Sequence, residues 1–446
     1  MNPEHPASWP WHPELLARPV PRYTSFPTAA EFGETGADPF ASNLAALPEG
    51  EPVSLYLHIP YCHEICWYCG CNTGAANRRG RLANYVQRLR DEIALVAATI
   101  GHRARVSRIA WGGGSPNALE PAQFIGLAEA VADAFDTSSA VMSVEVDPRA
   151  FTPAWSDALS ESRTSRVSLG VQTFSPTIQA AIGRVQPEAS IVQTVALLRK
   201  AGVESINFDL MYGLPGQTPG DLRESIDRTI ALSADRVAVF GYAHVPHLIP
   251  RQRRIDAVNL PDAEQRFRSA ELAYRCFTAA GYAPVGFDHF AKPGDALAIA
   301  AHSRTLRRNF QGFTEDSAEV LIGLGASAIS AFPGALLQNE KNAGRYGMRI
   351  EAGQLATARG IIRRRPDRVR ARAIERILCQ GAADLSALPD LDRVRRALRP
   401  FELRDLIEWR AGVVQLTPPA LPYSRAIAAT LDPFRVENSG AFSNAV

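Results

Sequence analysis

Ser54-Leu55-Tyr56-Leu57-His58-Ile59 runs straight into Pro60-Tyr61-Cys62-His63-Glu64-Ile65-Cys66-Trp67-Tyr68-Cys69-Gly70-Cys71. The first six residues form a short, β-rich apolar run, and the remainder is a loop holding four cysteines within ten residues. Similar runs recur at 108–113, 141–147, 166–172, 205–212, 236–242 and 282–289, each a strand candidate. Amphipathic helix candidates lie between them at 84–99, 121–135, 188–201, 219–232 and 261–280. Pro121, Pro219 and Pro261 sit where a first-turn proline is tolerated, and Gly202 and Gly281 sit where a helix stops. Six or seven βα units in series predict an α/β fold of parallel strands with right-handed crossovers, as an open sheet or a complete or partial barrel. Reactive residues in such folds gather at the carboxyl ends of strands. Gly113 and Gly114, Glu145 and Asp147, Gln172, Asp209, Tyr242 and His244 all fall there.

The 446 residues are 46% hydrophobic and 21% charged, which excludes a disordered chain. Forty-eight Lys and Arg against 46 Asp and Glu leave a formal charge of +2, which argues against a general nucleic-acid binder. Only Lys200, Lys292 and Lys341 are lysines, so the cations are chiefly planar guanidinium forks suited to carboxylates and phosphates. No apolar run long enough to span a membrane occurs, and the chain reads as cytoplasmic. Residues 1–48 are proline-rich and predict an extended arm, 49–365 the α/β core, and 366–446 a small, mostly helical, winged-helix-like domain with helices at 373–379, 391–398 and 401–409.

C-x3-C-x2-C-x-C directly after a strand suits three thiolates wrapped around one iron–sulfur cube whose fourth iron has no protein ligand. A structural zinc site normally takes four ligands from two separated knuckles, and no second Cys/His pair occurs downstream at suitable spacing. A redox pair at Cys66 and Cys69 would leave Cys62 unexplained. Cys276 and Cys379, on apolar helical patterns, read as core residues.

The three-cysteine loop with Tyr68 before its last thiol resembles the radical S-adenosylmethionine enzymes. Further blocks narrow the resemblance to the oxygen-independent coproporphyrinogen III oxidases. They are Pro21-Arg22-Tyr23-Thr24-Ser25-Phe26-Pro27-Thr28, the extra Cys71, Trp111-Gly112-Gly113-Gly114-Ser115-Pro116, Glu145-Val146-Asp147-Pro148-Arg149, Gly170-Val171-Gln172, Asp209-Leu210-Met211-Tyr212-Gly213-Leu214-Pro215, Tyr242-Ala243-His244, Asp288-His289-Phe290-Ala291, Asn309-Phe310-Gln311-Gly312 and Ser327-Ala328-Ile329-Ser330.

The resemblance implies a partial, three-quarter parallel (β/α)6 barrel. It makes Cys62, Cys66 and Cys69 the ligands of a [4Fe-4S] cluster that cleaves S-adenosylmethionine. The resulting 5′-deoxyadenosyl radical removes a β-hydrogen from a propionate of coproporphyrinogen III. Loss of the carboxyl as carbon dioxide and of one electron to an acceptor leaves a vinyl group, and two propionates so processed give protoporphyrinogen IX in haem biosynthesis. Tyr56, Gly113, Glu145 and Ile329 would touch a first S-adenosylmethionine, and Tyr68, Gly114, Ser115, Gln172, Arg184, Asp209 and Ala243 a second. Phe310 and Gln311 would stand near the substrate, and Cys71 would either move a proton or electron there or be a bystander thiol. A low-potential one-electron donor, a monomeric state and no nucleic-acid or membrane partner complete the expectation.

Taken singly, Glu145 and Asp209 also read as helix-capping acids, Arg184 as a solvated charge, and His58 as a satisfied core histidine. Four propionates need several cations, and the candidates are Arg22, the cluster Arg251, Arg253 and Arg254, and the cluster Arg304, Arg307 and Arg308. The arm is expected to fold over the site as a lid. Two competing readings are a haem-binding chaperone and a haem-opening methyltransferase of the same superfamily, but Cys71 and the Pro-Arg-Tyr-Thr-Ser arm favour the oxidase.

Overall fold

The computed structural model describes residues 8–102 and 104–436. Residues 1–7 of the expected arm and 437–446 of the expected C-terminal domain lie outside it. Six strands alternate with six principal helices: β1 Pro52–Ile59, α1 Arg79–Ile100, β2 Arg105–Gly113, α2 Pro121–Ala134, β3 Val141–Val146, α3 Pro153–Glu161, β4 Arg166–Gln172, α4 Glu188–Lys200, β5 Ser205–Tyr212, α5 Pro219–Ala231, β6 Arg236–Gly241 and α6 Ala263–Ala279. Local chemistry sets the helix starts. Thr218 and Asp262 each accept a hydrogen bond from a backbone N–H three residues on, at 3.1 and 2.8 Å, and that third residue's side chain answers the cap's own N–H.

The sheet continues beyond these units with β7 Ala283–Val285, β8 His289–Ala291, β9 Val320–Leu324, β10 Ile329–Phe332, β11 Ala335–Asn339 and β12 Thr357–Ile362, and α7 Ala343–Glu351 joins β11 to β12. With Gly33–Glu34 at one end, it has 13 strands in the order Gly33–Glu34, β12, β11, β10, β9, β1, β2, β3, β4, β5, β6, β8, β7. The run from β9 through β6 is parallel and both flanks are antiparallel. The single strand expected at 282–289 is instead the hairpin β7–β8, because Gly286 turns the chain at φ 59°.

The parallel strands curl. Arg108 on β2, Arg166 on β4 and Arg236 on β6 converge on Glu315 Oε1; Arg108 lies at 2.6 Å, Arg236 at 3.7 Å, and Arg166 is in direct contact. On a flat sheet β2 and β6 would stand roughly 19 Å apart, beyond the reach of one carboxylate. Glu315 therefore sits inside a concave sheet, at the amino ends of its strands. Three guanidiniums hold its carboxyl down at about 2 despite burial.

The main core lies between this sheet and its helices, with Trp111, Phe124 and Trp155 in ring contact at 5.0 and 5.1 Å. A second core joins Trp9, Leu16, Val20, Tyr23 and Phe26 of the arm to Ile374, Ile377, Leu398 and Tyr423 near the C-terminus. There α8 Arg365–Gln380 and α9 Leu391–Glu402 carry a three-stranded sheet of Ala382–Asp384, Val413–Leu416 and Ile407–Arg410. The helix expected over 401–409 is corrected: Asp405 takes φ 55°, and 407–410 is a strand that buries Ile407. Among the described residues no helix is long and apolar enough to cross a membrane.

Candidate active site

The cysteine loop lies across the carboxyl ends of the parallel strands and is sewn to them by backbone. Gly114 donates to Ile59 O and Ser115 to Tyr61 O, both at 2.8 Å. Gly74 reaches back to Pro60 O at 2.8 Å, and Trp67 donates to Ile182 O at 3.1 Å. The glycines at the end of β2 make this close approach possible. A Cβ on Gly114 would lie 2.5 Å from Tyr61 O, and one on Gly112 2.7 Å from the Glu145 carboxyl. Gly113 takes φ 109°, with the His58 ring packed where a side chain would point.

One cavity under the loop is lined by Cys62, Cys66, Tyr68, Cys69, Cys71, Gly113, Gly114, Ser115, Glu145, Gln172, Arg184 and Asp209. Gln172 holds φ 66° where β4 ends in a bulge. A second cavity continues inward to Arg108, Arg166, Arg236 and Glu315; it shares Glu145, Ser168 and Asp209 with the first and includes Gln311. Tyr56, Ala243, Ile329 and Phe310 are not among the lining residues. Tyr56 OH hydrogen-bonds His58 Nδ1 at 3.0 Å, and Ser327 Oγ meets His58 Nε2 at 3.3 Å. Ile329 opens β10, and Phe310 occupies the turn between Arg307–Asn309 and Gly312–Thr314. Ala243 is linked to the cysteine loop through buried Gln252, whose Nε2 donates to Ala243 O at 3.0 Å and to Tyr68 O at 2.9 Å.

Arg184 is buried rather than solvated. It donates to Cys66 Sγ at 3.2 Å, to both Asp147 oxygens at 3.3 and 3.4 Å, and to Gly170 O at 2.6 Å. Arg149 joins it, 2.6 Å from Asp147 and 3.5 Å from Cys66 Sγ. Asp147, directly after β3, is a keystone between two guanidiniums, which hold its carboxyl down although burial opposes this. The charge environment divides the thiols. A hydrogen bond from Cys71 brings Cys69 down to about 6, whereas burial and the charges of Cys69 and Cys66 push Cys62 up to about 12. Cys71 is raised by that bond to Cys69 and by enclosure. The three thiols thus crowd each other's charge in a setting supplied with guanidinium donors, and this fits ligands that iron would neutralise. No group of three or more His, Cys, Asp or Glu among the described residues is arranged around a single metal ion.

Glu145 and Asp209 face the cavity from adjoining depths. Enclosure, then the Asp209 charge, raises Glu145 to about 7 against the Gly113 N–H at 3.1 Å. Asp209 is raised by burial and held by Ser168 at 3.1 Å and Asn207 at 2.8 Å. Two crowded carboxyls at a cavity wall suit a ligand that brings positive charge and hydroxyl donors. Burial pushes His58 down to about 4, so it is neutral at pH 7.

The arginine candidates separate. Arg251 donates to Cys71 O and Thr73 Oγ1, both at 3.3 Å, and Arg254 lies 5.9 Å over Trp67, so both hold the cysteine loop. Arg22 pairs with Asp288 at 3.5 Å, and Arg308 donates to Arg22 O at 3.1 Å. Arg307 is paired with Glu375 at 2.8 Å, while Arg253 and Arg304 are exposed. Arg149 and Gln252 are additions to the expected set, and Asp147 was expected only as a strand-end residue with no assigned partner. Asp147 and Arg149 had a signal in the Glu-Val-Asp-Pro-Arg strand end, but Gln252, lying between arginines, had none.

A concave parallel sheet with a three-cysteine loop over its carboxyl ends defines the class, and residues 56–229 match the model of the Radical SAM superfamily. The chain is 47% identical over 368 residues to an oxygen-independent coproporphyrinogen III oxidase of Bradyrhizobium diazoefficiens, covering 82% of each. It is 41% identical over 431 residues to that of Paracoccus denitrificans, covering 94% of this chain and 95% of the relative. Among solved structures, coproporphyrinogen III oxidase HemN from Escherichia coli superposes with a TM-score of 0.88 at 33% identity, covering 96% of this chain and 100% of that one. The chain belongs to the oxygen-independent coproporphyrinogen III oxidase family.

Proposed function

We propose that the chain decarboxylates two propionates of coproporphyrinogen III to vinyl groups, yielding protoporphyrinogen IX without oxygen. The observation that carries this reading is the convergence of Cys62, Cys66 and Cys69 with Glu145, Asp209 and Arg184 on one strand-end cavity. When bound, a [4Fe-4S] cluster with S-adenosylmethionine supplies a 5′-deoxyadenosyl radical that takes the substrate hydrogen.

The chain's own residues place and shelter the reactants. Cys62, Cys66 and Cys69 hold the cluster, and Arg149 and Arg184 donate to the Cys66 sulfur. Gly113 lets backbone approach the amino acid end of the cosubstrate, and Glu145 accepts from its ribose hydroxyls, with Tyr56 and Ile329 at the same molecule. Tyr68, Gly114, Ser115, Gln172, Arg184, Asp209 and Ala243 would take a second S-adenosylmethionine. Cys71 and Gln311 face the substrate from opposite ends of the joined cavities, and Phe310 sits beside Gln311.

The curled run β1 to β6 is a three-quarter (β/α)6 barrel in this reading, supported by the convergence on Glu315. Residues 49–365 form the catalytic domain of a cytoplasmic monomer, the arm covers it, and the described residues from 366 onward form the C-terminal domain. Cys62→Ala, Cys66→Ala and Cys69→Ala should each lose the reducible cluster, read as iron and sulfide content and as the electron paramagnetic resonance of the reduced protein. Cys71→Ala should keep iron and sulfide while losing turnover. Full iron and sulfide in Cys69→Ala would overturn the ligand assignment.

A further inference from the structure

A groove on the outer flank of the barrel runs between α1 and α7 and is lined by Arg78, Arg81, Arg88 and Lys341 with a single acid, Glu351. Arg88 is neutralised by Asp91 at 3.1 Å and Glu351 at 3.4 Å. Arg78, Arg81 and Lys341 are exposed, and among the described residues none of them has an ion-pair partner. In a chain of net charge +2 this is a local excess. The groove also touches the cysteine loop. Asn72 Nδ2 donates to Lys341 O at 2.8 Å, and Thr73 lines both the groove and the cavity that holds Cys62, Cys66 and Cys69. The wall between them is one residue thick at Thr73.

We propose that this groove is the docking surface for a small acidic protein carrying a low-potential one-electron centre, which passes its electron through the Asn72–Thr73 wall. The proposal rests on the reading of the three cysteines as cluster ligands. The step moves one electron only: the donor centre is oxidised, the cluster is reduced, and no bond or proton changes place. An electron crosses a wall of one residue, whereas hydrogen removal from a propionate needs contact inside the cavity bounded by Glu145 and Asp209. That difference assigns the outer cations to a protein donor rather than to the substrate. Clustered unpaired cations steer an acidic partner and make its association salt-sensitive, as suits a transient redox encounter.

The test uses the cluster-loaded enzyme with an acidic flavodoxin as probe. Binding of oxidised flavodoxin is measured by titration calorimetry, and cluster reduction by stopped-flow mixing with the reduced form. Arg78→Glu/Arg81→Glu and, separately, Lys341→Glu should weaken binding and slow flavodoxin-driven reduction about tenfold or more at low salt, with a shallower salt dependence. Photoreduction by uncharged deazaflavin and the KM for coproporphyrinogen III should stay at wild-type values. Unchanged flavodoxin binding in both variants, or a raised substrate KM with intact flavodoxin binding, would overturn the proposal. Failure of deazaflavin to reduce the wild-type protein would instead overturn the cluster reading beneath it.

Discussion

Arg184 shows how much one side chain carries. Its guanidinium serves a thiol, a carboxylate and a carbonyl at once, which the three donors of an ammonium on a flexible stem cannot reproduce in that plane. Arg184→Ala should destabilise by about 3 kcal/mol, the lower end for breaking a buried pair because Arg149 still faces Asp147. Arg184→Lys should fall between it and wild type and lose iron more readily, and urea unfolding with iron release checks both. A lysine variant as stable and as iron-retentive as wild type would contradict the role. Gly113→Ala should be worse than its size suggests, since φ 109° and the His58 ring both exclude a methyl group. A strong loss of S-adenosylmethionine binding by equilibrium dialysis is the expected result. Gly113 was legible from its place at a strand end, but the role of Arg184 was not readable from local pattern. Arg184 comes just after a short helix, where a solvated charge is the ordinary reading, and only the family resemblance drew it inward. The cysteine loop, by contrast, was legible because three thiols at fixed spacing have few other uses.

At the scale of elements, the parallel core was legible because short β-rich runs recur between amphipathic helices, several of which carry a first-turn proline or a helix-stop glycine. The continuation β9 to β12 was not, because its Gly- and Ala-rich segments lack a clear period. Glu92 of α1 fastens that continuation to the parallel core. It accepts from Gly325 N at 2.6 Å, Asn339 Nδ2 at 2.7 Å and Tyr346 OH at 2.8 Å, so one carboxylate joins α1, the turn after β9, β11 and α7. Burial raises it from 4.5 to about 7, with these donors opposing the rise. A carboxyl raised in the folded state contributes stability that is complete below about 4.5 and lost as pH rises to about 7. The wild-type minus Glu92→Gln difference in unfolding free energy should therefore fall across that window and flatten above it, checked by denaturant titration at stepped pH. Removing one acceptor should also cost about 1–3 kcal/mol, since a buried donor is left facing the amide. A difference independent of pH would show that Glu92 stays ionised throughout.

Across the whole molecule, the arm belongs to the C-terminal core as much as to the site. Trp9, Leu16, Val20, Tyr23 and Phe26 are buried there and Tyr23 OH donates to Asp432 at 3.0 Å, while Trp9 N donates to Glu271 of α6 at 2.6 Å and Arg22 pairs with Asp288 at 3.5 Å. Five such side chains at about 1.5–3 kcal/mol each amount to roughly 8–15 kcal/mol, comparable with the stability of a domain. Deleting residues 1–30 should thus produce a separate low-temperature unfolding transition by calorimetry along with lost turnover, whereas an unchanged melting profile would make the arm a free lid. The proline count predicted an extended arm but not its partner, because the surfaces that bury it lie some 350 residues away in sequence, beyond any local period. The most direct measurement of the central claim is anaerobic incubation of the cluster-loaded enzyme with coproporphyrinogen III, S-adenosylmethionine and a reductant, followed by mass spectrometry. The predicted result is the divinyl product with one 5′-deoxyadenosine formed for each propionate lost; no vinyl product from fully loaded clusters would contradict it.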